Sequence, residues 1–235
     1  MKYLGGKSKI AKYIVPWINN SIFTTGYDYL EPFVGANNIT RYIDISCDMI
    51  CSDSHQGLIT MYRALQDGWI PPENLSKDEY ILLKEKNDQY NPLTAFAAFG
   101  CTFSGKEWGG YAQGDNRNFC DEAKRSLLKM KSDPSFKDIN FKCCNYLDYK
   151  DIKNQVIYCD PPYEGTTKYK QEFNHEEFWD WCNEKSYDNI LYVSEMTLPP
   201  PNIMYSILWQ KTRKISVSLE NYKEKTEYLF KIGSL

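Results

Sequence analysis

Val156-Ile157-Tyr158-Cys159-Asp160-Pro161-Pro162-Tyr163 runs four apolar residues straight into an acid, two prolines and an aromatic ring. The apolar run is short for a helix and too continuous for a half-exposed strand. It reads as a central strand of a parallel sheet, buried on both faces. Pro161 and Pro162 end that strand, since neither has an N–H for the ladder, and each fixes its own φ. Asp160 then falls at the carboxyl end of a buried strand, the end where open α/β sheets bind their ligands.

The turn has a chemistry of its own. An ionised carboxylate only accepts hydrogen bonds. The Pro161 carbonyl, one residue on, is a second acceptor. Two acceptors close together match an –NH2 group, and Tyr163 offers a flat face to a planar ring. Asp160, Pro161 and Tyr163 therefore read as a clamp for the exocyclic amine of adenine or cytosine. The same residues would also make a plain strand–turn with a surface acid, so the rest of the chain has to decide.

At 235 residues the chain can bury a sizeable core, as one domain or one domain with an insert. A net charge of −3 and a pI of about 5.6 speak against a protein that coats nucleic acid, but allow a local basic face. The 19 tyrosines and 6 tryptophans suit stacking on bases. Cys47, Cys51, Cys101, Cys120, Cys143, Cys144, Cys159 and Cys182 form no C-x-x-C pair, and His55 and His175 sit beside no cysteine pair. That pattern predicts no metal site and a reduced, cytoplasmic chain whose cysteines serve as small buried hydrophobes. The N-terminus has no long apolar stretch and no run could span a bilayer, so a soluble protein with no membrane contact is expected.

Working outward, Lys2-Tyr3-Leu4-Gly5-Gly6-Lys7-Ser8 lacks the spacing of a P-loop. Ser8 is a candidate N-cap for a helix carrying Ile10, Tyr13, Ile14 and Trp17. Tyr27 to Phe33 reads as a strand, followed by the small-residue turn Val34-Gly35-Ala36-Asn37 into a helix. Asp48 to Asp53 is the next strand. Asp53 lies about 20 residues past the start of that unit's glycine turn, the offset at which an acid bonds ribose hydroxyls in nucleoside-binding βαβ units. Asp53 could equally cap the helix that starts near Leu58 and stops at Asp67-Gly68. Ser76 to Gln89 and Leu93 to Phe103 read as helices, the second one buried. Ser104 to Phe119 has no period and several glycines, and reads as a substrate-facing loop with a short hairpin. Its contact residues would be Lys106, Trp108, Tyr111 and Arg117. Helices follow at Asp121 to Met130 and Glu176 to Lys185. Strands are expected at Asn140 to Cys144, Ile190 to Ser194, Ile203 to Leu208 and Tyr228 to Ile232. Gly165 to Phe173 is a polar stretch able to fold over the site. Lys211, Arg213, Lys214, Lys223 and Lys225 make one basic neighbourhood that could meet a phosphate backbone.

Tyr3-x-Gly-Gly-Lys7, Glu31-Pro-Phe-Val-Gly-Ala36, Ser52-Asp53 and Asp160-Pro-Pro-Tyr163, in that order, resemble the Dam-type, D12 class DNA adenine-N6 methyltransferases. The resemblance implies an α/β fold: a Rossmann-like, mostly parallel sheet with helices on both faces and a small target-recognition insert. The catalytic domain would comprise residues 1–70 and 140–235, and the insert residues 71–139. The cofactor implied is S-adenosylmethionine, with no metal. Tyr3 and Lys7 would contact its methionine end, Phe33 and Gly35 would line its pocket, and Asp53 would hold its ribose. Asp160 would sit between cofactor and target, and Tyr163 would stack on a flipped adenine. The implied partner is double-stranded DNA. A cognate restriction endonuclease, a monomer or weak dimer, and the cytoplasm of a prokaryotic or phage-infected cell go with the same resemblance. Asn37, where the family often has glycine, and His55, where it tends to have asparagine, are this chain's departures. An RNA-adenine or protein-glutamine amide methyltransferase also fits a D-P-P-Y clamp, as does a non-catalytic nucleoside binder.

Overall fold

The computed structural model describes residues 6–44, 46–114, 117–164, 173–216 and 222–233, and of residues 104, 213–216, 222 and 223 the backbone alone. In chain order the main elements are α1 (Ala11–Thr25), β1 (Asp28–Glu31), β2 (Met49–Asp53), α2 (Gln56–Gln66), α3 (Lys77–Lys86), α4 (Pro92–Ala95), α5 (Phe119–Lys131), β3 (Asn140–Cys143), β4 (Gln155–Cys159), α6 (His175–Lys185), β5 (Ile190–Glu195), β6 (Tyr205–Ser216) and β7 (Tyr222–Ile232). The seven strands form one sheet in the order β3-β2-β1-β4-β5-β7-β6. The registers β1–β4, β4–β5 and β2–β3 are parallel, and β7 runs antiparallel to both β5 and β6. This is the Rossmann-like α/β sheet expected, mostly parallel and closed at one edge by an antiparallel hairpin.

By compactness the chain divides into two units, Met1–Ala11 with Val34–Asn145, and Lys12–Phe33 with Tyr146–Leu235. In the first, α2 presents Leu58, Ile59, Met61, Tyr62 and Leu65 to the core, the helical spacing that its sequence shows. Arg63 and Gln66, on its other side, donate to the carbonyls of Phe141, Phe136 and Ile139 and so tie α2 to β3 and its approach. Residues 71–139 lie wholly within this unit. In the second unit, Val156 to Cys159 are fully buried, as a strand covered on both faces must be. Ile14, Ile18 and Ile22 of α1 are buried one turn apart, and Ser21 meets the Tyr192 hydroxyl of β5 at 2.6 Å.

Several expectations need correction. The turn after Phe33 leads only to one 3-10 turn, Thr40–Tyr42, because Gly35 and Asn37 both adopt positive φ (42° and 52°), which no α-helix tolerates. The cap of α2 is His55, whose side chain accepts from the Leu58 N–H; Asp53 is engaged elsewhere. The buried run after Asn91 is a short α4 that widens into a π-turn over Phe96–Gly100 and ends before Thr102. The closing strands are about twice as long as expected. Finally, the cysteines are not all reduced: Cys101 and Cys120 are joined as a disulfide that spans the Ser104 to Phe119 loop.

Candidate functional site

In the first unit the candidate site is built on the carboxyl end of β2. Val34 N–H donates to the Ser52 carbonyl at 2.8 Å, which lays the small-residue turn along the strand end. Gly35 N–H then reaches Asp53 Oδ2 at 3.0 Å, and His55 N–H reaches Oδ1 at 2.9 Å. Each carboxylate oxygen thus takes one backbone donor and keeps lone pairs for a ligand. Burial pushes the Asp53 carboxyl up, more than the His55 and Gly35 N–H groups pull it down. The Gly35 carbonyl is held from the opposite side by the Tyr62 hydroxyl at 2.5 Å. Asn37, 1% exposed, has both atoms of its side-chain amide buried without a hydrogen-bond partner. A carboxylate fixed in place by the Gly35 turn, with an unsatisfied buried amide two residues further along that turn, fits a ligand with vicinal hydroxyls such as the ribose end of a nucleoside cofactor.

His55 links this cradle to the loop. Its Nδ1 accepts from Leu58 N–H, so in the neutral ring Nε2 carries the proton, 3.4 Å from Glu107 Oε1. The ring also packs edge-on against Phe99. Lys7 is buried, and its carbonyl starts the helical winding by accepting from Ile10 and Ala11. Tyr3 lies outside the described residues.

In the second unit the candidate site is the corner after β4. Asp160 is half-buried, Pro161 buried, and Tyr163 half-buried. The Tyr163 hydroxyl donates to Glu227 Oε1 at 3.0 Å. Beneath the corner, Tyr158 and Ser194 share a hydrogen bond of 2.8 Å, and Tyr29 donates to the buried Glu31 at 2.9 Å. Burial first, and then the negative charges of Asp160 and Glu227, push the Tyr163 phenol well above its ordinary value. Burial and Asp160 do the same to Tyr158. Both phenols therefore remain protonated donors at neutral pH. Phe33 sits in an aromatic cluster with Tyr146, Phe173 and Phe178, at 5.4, 5.9 and 5.7 Å between ring centres. The segment 165–172 lies outside the described residues.

Of the four loop residues, Lys106 is exposed. Trp108 donates from its indole to Asn87 Oδ1 at 3.3 Å and packs on Tyr80. Tyr111 donates to the Leu75 carbonyl at 2.6 Å, packs on the same Tyr80 ring, and makes a single isolated antiparallel bridge with Thr102. Arg117 makes a two-pronged pair with Glu122 at 2.5 and 2.7 Å. Lys211 and Lys225 are exposed on the β6–β7 hairpin, while the side chains of Arg213, Lys214 and Lys223 lie outside the described set. The structure thus brings Gly35 to Asp53, and Trp108 and Tyr111 to one ring. Tyr62 and Glu227 were not found by sequence reasoning. Tyr62 is one more apolar-face residue of a helix, and Glu227 stands 64 residues from its partner in a charged, alternating stretch.

Among the described residues no group of three His, Cys, Asp or Glu could hold a metal ion, and no helix is long and apolar enough to cross a membrane. No curated protein matches the chain. Two solved structures of the rRNA methyltransferase aviRa from Streptomyces viridochromogenes are similar at 8% and 10% identity, with TM-scores of 0.40 and 0.36; each match covers 93% of this chain and 83% of that one. At that level they carry no argument about activity. The model of the D12 class N6 adenine-specific DNA methyltransferase family matches residues 3–99, which hold the Gly35 turn, Asp53 and Tyr62. Over residues 3–99 the chain is similar to the D12 class of N6 adenine-specific DNA methyltransferases.

Proposed function

We propose that the protein is a site-specific DNA adenine methyltransferase, moving the methyl group of S-adenosylmethionine to N6 of an adenine flipped out of duplex DNA. The observation that carries this reading is the corner itself, a carboxylate and a carbonyl on a proline-stiffened turn at the carboxyl end of a buried parallel strand. The family match supports it from the other half of the chain. When bound, S-adenosylmethionine supplies an electrophilic methyl on a sulfonium.

The chain's own residues do the rest. Asp53, fixed by Gly35 and His55, accepts the ribose hydroxyls. Asn37, Lys7, Tyr3 and Phe33 are the further proposed cofactor contacts. Extruding the base costs a few kcal/mol, and stacking on Tyr163 returns about 1–3 kcal/mol. Asp160 and the Pro161 carbonyl accept the two N6 hydrogens, which draws the nitrogen out of conjugation and turns its lone pair outward for in-line attack. Much of the barrier reduction is then positioning. As N6 takes the methyl, whose bond to sulfur would break with the electron pair returning to the sulfur as a thioether, N6 gains positive charge, which the preorganised Asp160 carboxylate stabilises before accepting the surplus proton. Residues 71–139 would read the DNA, with Lys106, Trp108, Tyr111 and Arg117 at its surface.

The test is to supply methyl-labelled S-adenosylmethionine with duplex DNA, RNA and a mixed protein substrate in parallel. Label recovered as N6-methyladenine in duplex DNA is the expected result. Label confined to RNA or to glutamine amides would overturn the reading.

A further inference from the structure

The D-P-P-Y corner ends on Tyr163, which follows β4 in an irregular segment. A ring there has two χ angles to fix before it can serve as a platform. Its hydroxyl is held by Glu227 Oε1 at 3.0 Å, and Glu227 is set by β7, whose residue Tyr228 is in register with Glu195 of β5. Glu227 itself pairs across the hairpin with Lys211 of β6. The carboxylate is therefore carried by a strand residue paired with β6, one position before the register with β5 begins, and it reaches a residue 64 positions earlier in the chain. Glu227 does not form part of the acceptor corner and belongs to no motif legible in the sequence.

From this geometry we infer that Glu227 is a positioning residue for the target base: it holds the Tyr163 ring at the tilt on which the flipped adenine stacks. The inference rests on the functional reading above and deepens it. A phenol donating to a carboxylate is a charge-assisted bond, short and directional. Without that acceptor the ring loses a charge-assisted bond that fixes its tilt. The base would then meet a platform that is ordered only on binding, and the ordering would be charged against affinity for the extruded state.

Glu227 acts through Tyr163, so the two residues should behave as one unit. Glu227→Ala and Tyr163→Phe should each lower kcat/KM for duplex DNA by about 10- to 100-fold, the range of one lost hydrogen bond to a charged group. The double variant should be no worse than either single one, because residues sharing one interaction are non-additive. Glu227→Gln keeps an acceptor oxygen and should restore most of the efficiency. A duplex carrying 2-aminopurine at the target position gives an optical readout. Stacking on a fixed ring quenches the flipped analogue, and both Glu227→Ala and Tyr163→Phe should leave it brighter, with Glu227→Gln near wild type. Should Glu227→Ala fold poorly, Tyr163→Phe makes the same test from the other partner, since it removes one hydroxyl and keeps the ring. Full efficiency and full quenching in Glu227→Ala, or additive losses in the double variant, would overturn the inference alone. A wild-type enzyme that labels no DNA would instead overturn the functional reading on which it stands.

Discussion

Two aspartates end two parallel strands of this molecule, and they are held in opposite ways. Asp53, at the end of β2, is fixed by donors: a backbone N–H from Gly35 and one from His55, one to each oxygen. Asp160, just past the end of β4, is followed by two residues with no N–H at all, which stiffen the turn that carries it. The first arrangement saturates half of a carboxylate and leaves the remainder for hydroxyl donors. The second surrounds a carboxylate with further acceptors and with phenols that stay protonated, Tyr158 and Tyr163. In the function proposed above, one acid would bind and the other would act on a group that brings its own hydrogens.

The largest expected effect breaks the second half of that contrast. Asp160→Ala should cut kcat by about 10²–10³-fold, the scale of one preorganised electrostatic group, while cofactor affinity by calorimetry shifts only a few-fold. Comparable losses in both quantities would erase the distinction between the two acids. Asp53→Asn comes next. It should weaken cofactor binding by about 10–100-fold, the equivalent of one hydrogen bond to a charged group, with less effect on kcat at saturation. A pH series sharpens this. The ionised form is the acceptor, and burial raises the Asp53 carboxyl, so wild-type affinity should begin to fall on acidification at a higher pH than an ordinary aspartate would give. In Asp53→Asn that dependence should flatten. The smallest effect is expected at Asn37→Gly, which relieves a positive φ and removes two unpartnered buried polar atoms. Stability should rise by about 1 kcal/mol, a gain of ~2–4 °C in Tm for a chain of this size, with cofactor affinity reduced less than in Asp53→Asn.

What the sequence revealed follows from where side chains face. Val156 to Cys159 and Ile190 to Ser194 are continuous apolar runs because both faces of those strands are covered, so their place at the sheet centre could be read directly. The β6–β7 hairpin could be read only in part. Tyr228 to Ile232 pair with β5 and are mostly apolar, whereas Tyr222 to Glu227 pair with β6 alone and carry charge on a two-stranded ribbon. That charged half looks like loop, and it holds Glu227. The Gly35 turn was read as leading into a helix, and the single 3-10 turn that follows was not foreseen, since two positive-φ residues in three positions do not show in propensity. The disulfide between Cys101 and Cys120 has no spacing signature either, because the two cysteines meet across a loop. Asp53 was read as either a ribose acid or a cap; the structure gives the capping to His55 and leaves the acid to the turn.

The paired prolines of the corner also settle what it refuses. From Asp160 to Tyr163 the backbone presents carbonyls and no intervening amide hydrogen. A keto oxygen brought to that edge, as guanine or thymine would bring, meets only lone pairs and must give up its water uncompensated. In the function proposed above, part of the discrimination between amino and keto bases would therefore be written into the covalent structure of the main chain.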